Sequence, residues 1–234
     1  MNETEVQNHS AQYYTTRYSG YGLRYHRDLI HRLMAQAAGT ILDAGCGTGI
    51  VSQLYPHKDI TGIDLSDAML ARHPGRAYRM DVCQLPTLWK QRFDFILCRS
   101  LLHHLPDHVQ GLSEMHRTLR SDGKIAFLET NHSAFATWVR QRTQHGDRFS
   151  AYHHSFVDTE LLHDITKWFT IDAVHYEGFL QYPWFGFPDI IPLATYTPGN
   201  PLWYPLSGLL DRGLSHLPWI KRLSWAIRIH AHKV

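Results

Sequence analysis

A short apolar strand that runs straight into three glycines spaced by single residues leaves a chain few choices of fold. Residues 40–50, TILDAGCGTGI, have that form. Gly45, Gly47 and Gly49 permit positive φ angles and let bare backbone approach whatever lies beside the turn. A helix starting directly after them would aim its first free amides at a polar ligand. The turn therefore predicts a strand–loop–helix unit whose loop meets something charged or strongly polar.

The chain on either side alternates between strand and helix patterns, which predicts an α/β fold with a mainly parallel sheet covered on both faces. In residues 24–38, Leu29, Ile30, Leu33, Met34 and Ala37 lie on one helical stripe. Strands are expected at 40–44, 59–64 (DITGID), 77–81 (AYRMD), 92–100 (RFDFILCRS) and 124–129 (KIAFLE), and a sixth in FTIDAVHY. Ser66 is the expected cap of the helix after the second strand. Helices are expected over 106–120, 133–142 and 157–168, and WAIRIHAHK reads as a last strand.

Read as a set, these motifs resemble the class I S-adenosylmethionine-dependent methyltransferases. The alternative, a nicotinamide dinucleotide fold with GxGxxG, fails because the third glycine falls one position early and position 50 is Ile. The resemblance runs from about residue 39 to 130, and more loosely to 177. It implies a seven-stranded, doubly wound Rossmann-like sheet and S-adenosylmethionine as cofactor. Asp43 would face the cofactor's amino-acid end, and the Asp64 carboxylate would accept both ribose hydroxyls. Asp81 would sit near the adenine amino group with Val82 beside the ring. Tyr14, Gly45, Cys46, Gly47, Leu65, Met69 and Arg99 complete the implied cofactor set, with Cys46 a small packing residue rather than a nucleophile. The chain divides, on this reading, into a helical lid over 1–38, a cofactor-binding core over 39–177, an insertion over 178–222 and a final strand over 223–234.

Displacement at a sulfonium methyl needs alignment and exclusion of water, and a base only where the acceptor must lose a proton. The candidates at the carboxyl edge are His103, His104 and Glu129, with His154 on a connection expected to overhang it. Asp94, in the fourth strand, is expected to be structural. No metal is expected: His104 and His108 could share a helix face, but no third ligand follows from the spacing.

Between 178 and 222 the composition changes to a run crowded with Trp, Tyr, Phe and Pro. Trp184, Phe185, Phe187, Trp203 and Tyr204 would suit the wall of a pocket for an apolar, aromatic or lipid-like small acceptor. The same residues would also suit a membrane surface, with Lys221 and Arg222 beside Trp219, or a homodimer contact. A net charge of +2 argues neither for nor against nucleic acid, but no basic patch or aromatic–basic interleaving stands out, so no nucleic-acid partner is expected. Three cysteines without CxxC spacing, and a polar amino terminus, point to the cytoplasm. A non-catalytic cofactor-binding module that regulates a partner enzyme is the alternative function.

Overall fold

The computed structural model describes residues 3–132, 137, 156–186 and 200–233. The expected helix at 133–142 (but for residue 137), Phe187, and His153 and His154 with their loop lie outside the described residues.

Seven strands form one sheet: β1 (Thr40–Ala44), β2 (Asp59–Asp64), β3 (Ala77–Arg79), β4 (Phe93–Arg99), β5 (Leu119–Thr130), β6 (Thr170–Glu177) and β7 (Ala226–His232). Their order is β3-β2-β1-β4-β5-β7-β6. β1 to β5 are parallel, whereas β7 runs antiparallel between β5 and β6. The sheet is therefore mixed rather than wholly parallel. The last strand of the chain fills a slot between two earlier ones.

Alternation along each strand sends side chains to opposite faces, and two separate cores follow. Leu42, Ile96, Phe127 and Ile229 meet Leu112 and Met115 of α6 (His108–Thr118) and Leu161 and Ile165 of α7 (Asp158–Thr166) on one face. Ile41, Phe95, Leu97 and Leu128 meet α3 (Gly20–Leu33) on the other. α3 buries Tyr25, His26, Leu29, Ile30 and Leu33, one continuous stripe at helical spacing. α6 begins where Asp107 accepts the Gln110 amide at 2.8 Å, a side-chain cap worth about 1 kcal/mol. Asp94 accepts the Thr40 amide and hydroxyl, both at 2.8 Å, and pairs with Arg120. It ties the start of β1 to β4, far from the carboxyl edge, in a structural role.

The insertion departs from expectation in two ways. Phe185 is not a pocket wall but is buried with Tyr204 among Tyr21, Tyr25 and Tyr182 in the core over α3, and Tyr204 also borders a cavity beside β6. Trp184 and Trp203 are half-buried and pack edge to face at 5.5 Å. Residues Asn200–Ser215 then form a helix that packs beside β6, rather than lying over the glycine turn. Of the alternating polar side chains of β7, Arg228 and His230 are buried, and His232 pairs with Asp172 at the surface. Arg228 is 9% exposed and donates to Glu177 at 2.5 Å, and Arg32 of α3 reaches the other oxygen of Glu177 at 2.9 Å. Buried charge is tolerated there because each ion has a partner.

Candidate active site

The glycine turn joins β1 to α4 (Ile50–Leu54). The amides of Gly45 and Cys46 both donate to the Ile63 carbonyl at 2.9 Å, which ties the turn to β2. Gly45, Gly47 and Gly49 all have positive φ, at 72°, 53° and 77°. A Cβ on Gly47 would meet nothing within 4 Å, so that glycine faces open space. One on Gly49 would strike His73 and Pro74, so that glycine is needed for packing.

Asp64 ends β2 and braces this turn. Its two oxygens accept the Gly47 and Ser66 amides, each at 2.9 Å. The Leu65 amide also acts on this carboxylate, and with about four acceptor positions it can still accept a further donor. Burial raises the Asp64 carboxyl above its ordinary range, and the backbone amides oppose that shift. Ser66 caps α5 (Asp67–Leu70) as expected, accepting the Met69 amide at 3.2 Å. Asp81 is spent in the same way, capping the 3₁₀ turn Val82–Gln84 through the Cys83 amide at 2.8 Å. Val82 and Met69 are buried beside it, and Leu65 is 38% exposed.

Asp43 is different. It is 2% exposed, and its Oδ2 has no hydrogen-bond partner. Burial pushes its carboxyl up to about 7, with the Arg99 guanidinium opposing and Asp64 adding to the shift. A buried carboxylate oxygen without a donor costs on the order of 1–3 kcal/mol, so such groups are rare unless something supplies the donor. The ammonium group of an amino acid is such a donor. With Asp64 still able to accept and Gly47 open, the donor set fits S-adenosylmethionine.

The amino-terminal segment closes over this edge. α1 (Glu3–Ser10) places Asn8 against the Ser66 hydroxyl at 2.6 Å, and Arg72 donates to the Ala11 carbonyl. Further on, α2 (Tyr14–Arg17) leads to Tyr18, whose hydroxyl accepts from Arg99 at 3.2 Å. Residues 8–18 thus run from α5 to the end of β4, with Tyr14 beneath them near Arg17, Tyr18, Arg99 and Asp64. Burial raises the Tyr14 phenol, which keeps it a neutral hydrogen-bonding group.

His103 and Glu129 form one buried unit, 2.5 Å apart, and the other Glu129 oxygen accepts the Leu101 and Leu102 amides at 2.9 Å. Glu129 is thereby a positioning residue for the β4–α6 loop rather than a carboxylate facing an acceptor. His104 packs its ring against His103 at 4.0 Å. His104 and His108 share no helix face: the first closes a 3₁₀ turn, and the second opens α6 and bonds Asp164 at 2.8 Å. No group of three or more metal-ligating side chains occurs among the described residues.

Sequence reasoning missed His26. It lies on the buried stripe of α3, where an imidazole among apolar residues was the available signal. Its Nε2 bonds the Gly186 carbonyl at 2.9 Å. A carbonyl only accepts, so Nε2 carries the proton and Nδ1, which has no partner, is left with its lone pair. Burial lowers its pKa to about 3, helped by Arg99 and Arg17, and the ring is neutral. Tyr18 stands edge-on to it at 5.1 Å, linking it to the Arg99 end of the site.

The chain is similar to known proteins in sequence and in fold. Residues 42–127 match a family model described as a methyltransferase domain. Over these residues the chain is similar to S-adenosylmethionine-dependent methyltransferases. A ubiquinone/menaquinone biosynthesis C-methyltransferase of Citrifermentans bemidjiense is 30% identical over 125 residues, 47% of this chain and 53% of that protein. A ubiquinone biosynthesis O-methyltransferase of Coxiella burnetii is 32% identical over 103 residues, 40% of this chain and 44% of that protein. The chain thus spans about half the length of the curated relatives it matches. A SAM-dependent methyltransferase from Thermotoga maritima has the same fold, with a TM-score of 0.70, 16% identity and full coverage of both chains.

Proposed function

We propose that this protein transfers a methyl group from S-adenosylmethionine to a small, apolar or lipid-like acceptor of the quinone-precursor type. The observation that carries the reading is Asp43: a buried, unpaired carboxylate oxygen beside an open glycine and a carboxylate with acceptor positions left. When bound, the cofactor supplies a methyl already activated by the positive charge on sulfur.

The protein's own part is binding, alignment and exclusion of water. Asp43 holds the ammonium, and Arg99, released in part from Tyr18, pairs with the neighbouring carboxylate. Asp64 accepts the ribose hydroxyls while its backbone bonds keep the loop in register. Asp81, Val82, Leu65 and Met69 border the adenine, and Tyr14 closes the site from above. Among the imidazoles, His26 has an unpaired lone pair, whereas His103 is held by Glu129. A base needs affinity for the proton, so His103, which Glu129 orients, is the better candidate to take one from a hydroxyl acceptor, with His104 and His154 secondary; His26, its pKa lowered to about 3, can only accept a hydrogen bond. The two relatives methylate at different atoms by name, carbon and oxygen. Three free thiols, with Cys46 and Cys98 buried, support a reducing cytoplasmic setting for the same reading.

Calorimetry with S-adenosylmethionine and S-adenosylhomocysteine tests the binding half, and both are expected to bind. Incubation with hydroxylated and unsubstituted quinone precursors, reading release of S-adenosylhomocysteine, tests the transfer. Binding of NAD in place of either ligand overturns the reading. Cofactor binding without turnover on any such acceptor favours the non-catalytic module.

A further inference from the structure

Residues Asn200–Ser215, here α8, form an amphipathic helix mounted with its polar side inward. Tyr204, Ser207 and Asp211 face the protein and are buried. Asp211 accepts the Leu180 and Gln181 amides, and Tyr204 donates to Asp28 at 2.7 Å. The opposite face is leucine: Leu202 is 79% exposed and Leu209 65%, with Leu206 and Leu210 beside them. The chain then passes Leu217 to Trp219, which is 88% exposed. Isolated exposed leucines are ordinary, but a helical row of four followed by a bare tryptophan marks a contact surface.

Charge indicates what the surface meets. From residue 200 to 223 the basic residues are Arg212, Lys221 and Arg222, and the single acid is Asp211, which is turned inward. A cavity of about 740 Å³ opens along the same helix, where Arg24, Arg32, Arg212 and Arg228 outnumber the acids Asp28, Glu177 and Asp211, and Tyr25, Gly208 and Leu209 also line it. The Tyr25 hydroxyl is buried and has no hydrogen-bond partner. Arg24 lies over the Tyr204 ring at 4.4 Å, and Arg32 and Arg228 already share Glu177. Leu209 belongs to both the cavity rim and the apolar row, so an anionic group in the cavity would have its apolar remainder on the leucines.

We infer that α8 is a membrane-surface helix: it lies in the interface of an anionic phospholipid bilayer, leucines and Trp219 inward, with a phosphate headgroup in the Arg24–Arg212 cavity. Apolar burial supplies the attachment, and the basic flank supplies the preference for anionic lipid. A second copy of the chain fits less well, because a two-fold contact through this face would bring Arg212 and Lys221 close to their own counterparts.

The test is co-sedimentation of the full chain with vesicles of phosphatidylcholine alone and with phosphatidylglycerol added. Binding is expected only with phosphatidylglycerol, and it should weaken with salt. Leu206→Glu and Leu209→Glu should each lower the bound fraction at least five-fold, with unchanged circular dichroism. Arg212→Gln, at an exposed position, should lower the phosphatidylglycerol preference two- to five-fold. Neither readout involves methyl transfer, so the outcome is independent of the acceptor. Equal binding to both vesicles, or none, overturns the inference. So does a dimer in light scattering that Leu206→Glu converts to monomer, which would assign the face to a second copy.

Discussion

Two groups of buried charge sit on the α3 side of one sheet, and they are treated in opposite ways. At the β6–β7 end, Glu177 is shared by Arg32 and Arg228, and its carboxyl is held below the ordinary range by the two guanidiniums against the cost of burial. At the β1–β4 end, Asp43 is more deeply buried than Glu177 yet keeps an unpaired oxygen, and its carboxyl is pushed the other way, to about 7. The first cluster is complete within the chain. The second leaves one carboxylate oxygen without a donor from the chain. Satisfied buried charge marks structure, and unsatisfied buried charge marks a site.

The comparison breaks first at Glu177. Glu177→Ala strands two guanidiniums, one of them 9% exposed, and should cost about 3–5 kcal/mol of stability in urea unfolding. Cofactor affinity of the remaining folded protein should not change. A loss below about 1 kcal/mol would mean that the cluster is solvated, and the contrast would fail.

Asp64→Ala should do the reverse. Removing two ribose acceptors and the brace on Gly47 is expected to weaken cofactor binding by about 1.5–3 kcal/mol in calorimetry. Unchanged affinity would remove Asp64 from the site.

Asp43 sharpens the contrast through pH. Its folded pKa of about 7 lies above the unfolded value of 3.8, so the native state holds the extra proton between those limits. Its destabilising effect is complete above about pH 7 and vanishes below about pH 4. A bound ammonium reverses the preference. Cofactor binding near pH 6 should therefore release a proton, seen as a heat that depends on buffer ionisation, and affinity should fall as pH drops from 7 to 5. Asp43→Asn should abolish the proton release and leave the folded protein at least as stable at pH 8. Proton uptake, or no linkage, would place the cation elsewhere.

The smallest expected effect is at Trp184, half-buried beside Trp203. If this pair borders the acceptor, Trp184→Ala should raise the acceptor KM by several-fold, about 1 kcal/mol, with cofactor affinity unchanged. A lower melting temperature with an unchanged KM would make the pair core, like Phe185 and Tyr204.

What was legible in the chain was local. The glycine turn, the acids ending β1, β2 and β3, the Ser66 cap and the α3 stripe all declare themselves within a dozen residues, because spacing and period carry the physics. Tertiary structure decided the rest. The slot for β7 depends on partners about 96 to 108 residues earlier in one strand and about 49 to 62 in the other, so no local pattern reveals that Arg228 and His230 will be covered rather than solvated. Glu129 finds His103 26 residues away, and His26 finds the Gly186 carbonyl 160 away. α8 shows the limit most plainly. Its sequence showed only an aromatic-rich insertion, and which face of the helix turns inward was settled by the partners Asp28, Leu180 and Gln181, which satisfy its polar groups and leave its leucines outside.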